Sequence, residues 1–583
     1  MTTLRVLLHV AAQRDYELHS LDFSTAFLQG SLHEEIWLRR PPGFTGSFPP
    51  GTQWSLRRPV YGLRQAPREW HDTLRTTLAA LGFAPSAADP SLFLRTDTSL
   101  PPFYILVYVD DLVFATADTA GLAHVKSELQ KRHTCTDLGE LRSYLGLQIT
   151  RDRAQRTITL TQSHMVQQVL QRFGFTYSSP QATPLSTRHS LSALPSDESV
   201  EPSGPYPELV GCLMYLMTCT RPDLAYPLSI LARYVAPGRH RPEHMAAAKR
   251  VLRYLCSTSG LGLVLGGRRP VVLTGHADAS WADDQATQRS SQGYTFSLGS
   301  GSVSWRSTRS SSVLGSCCEA EIYAGAMAAQ ELRWLTYLLT DLGELPRSPP
   351  VLYVDNKAML ALCREHRLEH RTKHIALRYF LARELQQRGQ LRLAYVASQA
   401  NTADAFTKAL PPGDHQRFCT MLACFALLDW SCDLLFSPIL PMGCKVKSEP
   451  RAEPGAGRGV PSAASGVQGS GAATPPPPDD VVSRLRNPKY QRDFQTLALY
   501  GPHGVGCQLT AQDALTLADD ECLADTVVDF HNMGHYSFVI AMNLGGMVSG
   551  KLSETVEDNV ELVHYDSASL HTKKPEVMEG IKK

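Results

Sequence analysis

Two aspartates, Asp110 and Asp111, stand side by side in an otherwise apolar, β-branched run, Tyr104-Ile-Leu-Val-Tyr-Val-Asp-Asp-Leu-Val-Phe114. Strand propensity on both flanks predicts a hairpin with its turn at the acids. Adjacent carboxylates at a tight turn between apolar strands are costly unless a cation sits on them. The bland alternative is a solvated Asp-Asp turn. A third acid shifts that balance: in Leu18-His-Ser-Leu-Asp-Phe-Ser-Thr-Ala-Phe-Leu28, Asp22 ends a short apolar run and precedes a helix-like segment. Three carboxylates on neighbouring strand ends can hold two Mg²⁺ ions ~4 Å apart, the arrangement of in-line phosphoryl transfer. One ion would lower the pKa of an attacking hydroxyl, and the other would neutralise phosphate charge.

A second set of acids is dispersed over residues 268–410. Pro270-Val-Val-Leu-Thr-Gly-His-Ala-Asp278 reads as a strand ending in an acid, and Ser291–Gly299 and Gly301–Trp305 continue a meander. Cys318-Glu-Ala-Glu-Ile-Tyr-Ala324 starts a helix on which Glu319 is expected to be solvated. Val351-Leu-Tyr-Val-Asp355 is another strand with an acid at its carboxyl end, and Asn401-Thr-Ala-Asp404 begins a closing helix.

The elements around these acids follow from periodicity and punctuation. Residues 1–20 read as a helix with Leu4, Leu7, Leu8 and Ala11 on one face. Gly62 permits a tight turn before a helix around Arg68–Leu81, and a further helix runs from Ala117 to Arg132. Tyr144-Leu-Gly-Leu-Gln-Ile149 reads as a strand. Thr157–Thr161 is followed by a helix with Met165, Val166, Val169 and Leu170 apolar. The Pro/Ser-rich 180–206 is a loop, and Leu209–Val235 and Pro242–Ser257 form a helical block. The 583 residues allow roughly three or four domains. A hydrophobic content of 43%, 19% charged residues and a formal net charge of +1 describe a globular chain less basic than a duplex-gripping protein. Thirteen cysteines without a C-x-x-C pair read as reduced thiols, not a zinc site. No signal peptide stands at the start, and Asp429 and Asp433 interrupt the apolar run 418–441, so no membrane span is expected.

Several motifs occur together in one order. Leu21-Asp-Phe-Ser-Thr-Ala-Phe-Leu-Gln-Gly30, Glu34-Glu35, Arg40-Pro-Pro-Gly-Phe44, Val60-Tyr-Gly-Leu-Arg-Gln-Ala-Pro-Arg-Glu-Trp70, Tyr108-Val-Asp-Asp111 and Asp137-Leu-Gly-Glu-Leu141 resemble the reverse transcriptase of copia-type LTR retrotransposons. The resemblance implies catalytic and metal-binding roles for Asp22, Asp110 and Asp111. It also implies substrate contacts for Phe27 as steric gate, Gln65 on the template and Tyr108 beside the acids. Tyr206, Leu209–Tyr215, Thr220-Arg-Pro-Asp-Leu-Ala225 and Ala246–Tyr254 resemble the thumb and connection of the same family, with the Lys249–Arg253 face as the phosphate-contacting candidate. The order strand, strand, strand, helix, strand, helix over 268–410 resembles the family's ribonuclease H. It makes Asp278, Glu321, Asp355 and Asp404 metal-binding catalytic carboxylates, with His374 assisting proton transfer or product release. Ser280 and Ala376 stand where that family usually places acids.

The Pro/Gly/Ser/Ala-rich 445–480 cannot bury a core and separates a tail of different character. There Leu523–Phe530, His535-Tyr-Ser537 and His564-Tyr-Asp-Ser567 are similar to the SUMO/ubiquitin-like-protein cysteine protease family. That similarity would make His535 a general base and Asp566 its orienting acid. No nucleophilic Cys follows, so the tail reads as a non-catalytic remnant. The expected architecture is α/β (α+β) and multidomain. It has a polymerase palm without complete fingers over 1–150, a thumb/connection over 151–265 and a ribonuclease H-like mixed sheet over 266–425. A disordered linker over 426–480 and a truncated protease-like fragment over 481–583 complete it. The implied function is RNA-directed DNA synthesis with ribonuclease H activity, with hydrolysis surviving better than synthesis. Two Mg²⁺ are implied per site, with Mn²⁺ as a substitute. The implied partners are an RNA template, a DNA primer, an RNA/DNA hybrid, dNTPs and, at the tail, a ubiquitin-like modifier, in the cytoplasm or nucleus. The rival reading is a silent retroelement remnant that binds nucleic acid non-specifically.

Overall fold

A computed structural model describes residues 1–39, 53–189, 191, 204–236, 238–344, 348–364, 380–422 and 424–426, and four short strands between 497 and 563. The chain divides into one unit over Met1–Ser431 and a second that takes in Cys432–Phe530 and Ser537–Lys583. In the second unit the described residues form two antiparallel pairs, Leu497–Leu499 with Cys507–Leu509 and Val539–Met542 with Val560–Val563. The expected linker 426–480, apart from Ala426, lies outside the described residues, as do His374, His535 and Asp566.

Among its described residues the first unit has three large sheets and a two-stranded one, Trp37–Leu38 with Trp54–Ser55. The first places the strands in the order Phe83–Pro85, Leu92–Arg95, Phe103–Tyr108, Asp111–Thr116, Glu17–Phe23, Cys135–Glu140. Its centre is the apolar hairpin around the two adjacent acids, with Ile105, Leu112, Val113 and Phe114 fully buried. The second orders Cys424–Ala426, Leu261–Gly266, Thr157–Thr161, Leu147–Asp152, Ser143–Tyr144. The third orders Ser302–Val313, Arg289–Ser297, Thr274–Asp284, Val351–Val354, Arg392–Tyr395, and its last three strands run parallel. The helices Tyr206–Cys219, Ala225–Leu231 and Pro242–Ser257 enclose a separate apolar cluster. Among the described residues no helix is long and apolar enough to cross a membrane.

The opening helix is shorter and deeper than its pattern predicts. It spans Thr2–Arg14 and stops at Asp15, which is left-handed at φ 57°; a strand, Glu17–Phe23, occupies the rest of the expected helix. All of Thr3–Gln13 is buried, not one face. The polar stripe Arg5, His9, Gln13 is bonded largely to distant backbone. Arg5 donates to the carbonyls of Val303 (2.7 Å), Thr218 (2.7 Å) and Cys219 (3.0 Å), and its guanidinium lies 3.9 Å from the Trp305 ring centroid. His9 Nδ1 accepts from the Gly266 N–H, and Gln13 donates to the Arg269 carbonyl. One continuous apolar cluster then holds Leu7 and Leu8 of this helix, Leu106 of the first sheet, Leu263 of the second and Phe296 of the third.

Three further expectations are corrected. Tyr144–Ile149 is not one strand: Leu145 (φ 48°) and Gly146 (φ 70°) turn the chain between Ser143–Tyr144 and Leu147–Asp152. Asp278 does not end its strand, which continues to Asp284 through a register shift after Ser280. Asp404 sits in a 3₁₀ turn, Thr402–Phe406, and the closing α-helix starts only at Pro412, after the helix-breaking Pro411.

Two candidate active sites

The first site is the hairpin. Tyr108 pairs with Asp111 across a turn made by Val109 and Asp110, and Asp22 pairs with Asp111 on the neighbouring strand. The sheet therefore brings Asp22, Asp110 and Asp111 together, as the sequence predicts. Val109 is left-handed at φ 52°, a conformation that costs a β-branched residue about 1–3 kcal/mol. Two hydrogen bonds hold it there. Trp70 Nε1 donates to the Val109 carbonyl (2.5 Å), and the Phe23 N–H donates to the Asp110 carbonyl (2.8 Å). The three acids are half-buried. Burial, followed by the charges of Asp110 and Asp22, pushes the Asp111 carboxyl up to about 7, and burial together with Asp22 raises Asp110. Tyr144, buried with an unpaired hydroxyl, lies within the field of Asp111.

The substrate-contact candidates are distributed differently from expectation. Phe27 is 2% exposed within the apolar core beneath the site, and its ring centroid is 4.6 Å from that of Tyr61. Tyr61 is 55% exposed, and Asp110 and Asp22 add to burial in raising its hydroxyl pKa, so the ring presented to solvent beside the acids is Tyr61. Gln65 caps the helix Ala66–Ala80 and donates to Glu34 at 3.1 Å. Tyr108 is half-buried next to the turn.

The second site gathers acids from four separate elements of the third sheet and its helices. The parallel register sets His276 opposite Tyr353, so Asp278 and Asp355, two residues on, come level. Glu321 projects from the helix Cys317–Asp341, whose start is fixed by Ser316 accepting from the Glu319 N–H at 3.1 Å. Glu319 is not solvated: it is buried, and its carboxylate accepts the Gly315 N–H at 2.8 Å. Asp404 is carried in by Asn401, which donates to the Ala277 carbonyl (3.1 Å) and accepts from the Ala403 N–H (3.2 Å). Gly293, paired with Asp278, makes room for this turn, since a Cβ there would come within 2.5 Å of the Phe406 Cβ.

The electrostatics of this site are severe. Asp278, Glu321 and Asp404 are 2%, 7% and 7% exposed. Glu321 is driven up to about 9 by burial and then by Asp278 and Asp355, and Asp404 up to about 7 by burial and then by Asp278. Partial relief comes from Thr407, which donates to Asp278, from Ser398, which donates to Asp355 at 2.6 Å, and from Lys408. Glu321 Oε2 and Asp404 Oδ1 are buried without a hydrogen-bond partner. Oxygen-only donors left unsatisfied in this way suit a hard divalent cation. Ligand atoms of Asp278, Glu321 and Asp355 all lie within 4.8 Å of one another.

A third cluster was not singled out as a site by sequence reading. Asp223 of the Thr220-Arg-Pro-Asp motif lies with His415 and Cys419 at ligand-like spacing. Here the carboxylate is already satisfied: Arg221 Nη2 sits 2.7 Å from it, and the Tyr254 hydroxyl donates to it at 2.8 Å. Burial is the largest single influence and opposes its charge, but Arg221, His415 and Tyr254 together hold the carboxyl below its ordinary value. This is an internally closed network joining the helical block to the helix Pro412–Met421.

Residues 1–187 match the family model described as reverse transcriptase (RNA-dependent DNA polymerase). The retrovirus-related Pol polyprotein from transposon RE2 of Arabidopsis thaliana is 37% identical over 420 residues, 72% of this chain and 28% of that protein. The putative transposon Ty5-1 protein of Saccharomyces cerevisiae is 33% identical over 294 residues, which make up 50% of this chain and 94% of that protein. The chain belongs to the copia-type retrotransposon Pol family. It spans 28–31% of the length of its plant Pol relatives. A solved foamy viral protease–reverse transcriptase in complex with RNA/DNA hybrid aligns with this Pol chain at 13% identity and a TM-score of 0.36, covering 66% of this chain and 44% of that one. The α/β multidomain architecture expected from sequence agrees with the helices and mixed sheets of the first unit.

Proposed function

We propose that this Pol chain performs phosphoryl transfer on RNA and DNA at two sites. The hairpin acids Asp22, Asp110 and Asp111 would serve RNA-directed DNA synthesis from dNTPs on a primed template. Asp278, Glu321, Asp355 and Asp404 would serve hydrolysis of the RNA strand of an RNA/DNA hybrid. The observation that carries the hydrolytic assignment is the pair of buried, unpaired carboxylate oxygens on Glu321 and Asp404 among four converging acids. Mg²⁺ held by these residues would supply charge neutralisation at the attacked phosphate and the leaving oxygen. The chain's own residues supply the rest. Asn401 holds Asp404 against the sheet, Thr407 and Ser398 fix the rotamers of Asp278 and Asp355, and the low-dielectric surroundings sharpen each interaction with the scissile phosphate. At the hairpin, the Val109 turn holds Asp110 and Asp111 beside Tyr61, a ring available to orient a nucleotide.

The test is cleavage of a labelled RNA/DNA hybrid by the purified chain with Mg²⁺, beside Asp278→Asn. Cleavage lost in the variant is the expected result. No cleavage by a folded wild-type chain would reject the hydrolytic assignment and leave the rival reading, non-specific nucleic-acid binding whose affinity falls steeply with salt. The full chain is required, because the third sheet shares its core with the opening helix.

A further inference from the structure

Lys408 lies one helical turn after Asp404, and its ammonium is 2.9 Å from Asp404 Oδ2 and 4.0 Å from Asp278 Oδ2. It therefore bridges two of the four acids on one side of the cluster. The other side, Asp278, Glu321 and Asp355, forms the close group of ligand atoms, and among the described residues Lys408, at 4.0 Å from Asp278, is the cation that reaches it. Asp404 thus has one oxygen taken by Lys408 and the other buried and unpaired.

We infer that Lys408 is a displaceable resident cation, so that the site takes one divalent ion freely at Asp278, Glu321 and Asp355 and a second, towards Asp404, only by expelling the ammonium. The inference rests on the hydrolytic reading of the quartet. Charge balance supports it. Once cations displace the protons that burial holds on Glu321 and Asp404, four carboxylates carry four negative charges, and one divalent ion plus the ammonium leaves the cluster one short of neutrality. Two divalent ions reach neutrality with the lysine outside. Keeping all three cations would overcharge a site of low dielectric and set like charges within a few ångströms. Expulsion itself is cheap: the Lys408 side chain is 44% exposed, so the ammonium can swing into water on its flexible stem. Lys408 is accordingly a positioning residue that sets the order and inequality of cation loading. The acids alone gave no hint of it, although i,i+4 spacing from Asp404 is a readable signal.

The experiment is a Mn²⁺ titration of the full chain without nucleic acid, following free Mn²⁺ by electron paramagnetic resonance. An Asp111→Asn background removes the hairpin's contribution. Wild type is expected to show one tighter and one weaker ion at the quartet. Lys408→Met should tighten the weaker ion about five- to tenfold and leave the tighter one within about twofold, the scale of losing a half-exposed ion pair. Lys408→Arg should preserve the inequality. Should Lys408→Met fail to fold, Lys408→Gln makes the same test. Loss of both ions in Asp278→Asn with no change in either Lys408 variant would overturn the inference and leave the quartet standing. Identical Mn²⁺ binding by wild type and Asp278→Asn, or none by either, would instead remove the quartet reading and the inference with it.

Discussion

The two acid clusters solve the same electrostatic problem in opposite ways. The hairpin draws its acids from one turn and the adjacent strand, keeps them half-buried, and spends strain at Val109 to aim them. Their ligand atoms are not among the closely spaced groups found in the described residues. The quartet draws on a strand interior, a helix, a strand end and a 3₁₀ turn spread from Asp278 to Asp404, and it packs them until two oxygens have no partner. A locally built site can stay open and tolerate its own charge. A site assembled across the fold concentrates charge where water is scarce, and its stability becomes tied to cations.

The largest effect that would sharpen this contrast is loss of a metal-facing acid. Glu321→Gln should cut hybrid cleavage at least about 100-fold while raising the metal-free melting temperature, because it removes a buried acid that folding forces to stay protonated, with one oxygen unpaired. A fall in melting temperature would contradict the picture of a site under charge stress. Next comes Trp70→Phe, which frees the Val109 carbonyl. Primer extension should drop about tenfold or more, with hybrid cleavage measured in the same preparation changing less than about twofold. Equal losses would mean that the two sites are not separately supported. Gly293→Ala is the mirror test. Phe406 must move, Asp404 with it, and cleavage should fall about tenfold while primer extension persists.

A subtler separation lies in pH. Glu321 is raised from 4.5 to about 9 in the folded chain, so its stabilising contribution is complete below about 4.5 and is lost as pH climbs to 9. For Asp111, raised from 3.8 to about 7, the corresponding loss is over by about pH 7. Metal-free stability should therefore keep falling between pH 7 and 9. Glu321→Gln should flatten that limb, Asp111→Asn should not, and Mg²⁺ should offset it in wild type. Urea midpoints across this range decide the matter.

Legibility in the sequence followed the same divide. The hairpin could be read from one apolar run broken by two acids, because its turn and both flanking strands are contiguous in the chain. The quartet acids were findable as strand-end and helix-start carboxylates in the family's order. Lys408, Thr407 and the Gly293–Phe406 contact were not, since their meaning depends on which strands become neighbours. Phe27 shows a related limit: motif position gives its place on the chain, whereas the packing of Tyr61 over it decides which ring meets solvent. The opening helix departs most from its one-faced apolar pattern. Arg5, His9 and Gln13 at i,i+4 spacing have the pattern of a wetted face, and only distant carbonyl and amide groups in the folded chain turn that face inward.

That helix also sets a timetable. Arg5 and its acceptor Val303 are 298 residues apart in the chain. At roughly 5–20 residues per second, a translating ribosome needs roughly 15–60 s to deliver the second after the first. The Thr218 and Cys219 carbonyls follow Arg5 by 213 and 214 residues, so the guanidinium gains its last carbonyl partner only at the end of that interval. This helix is therefore sealed late, so chaperone occupancy on it during synthesis should end as the strand Ser302–Val313 emerges.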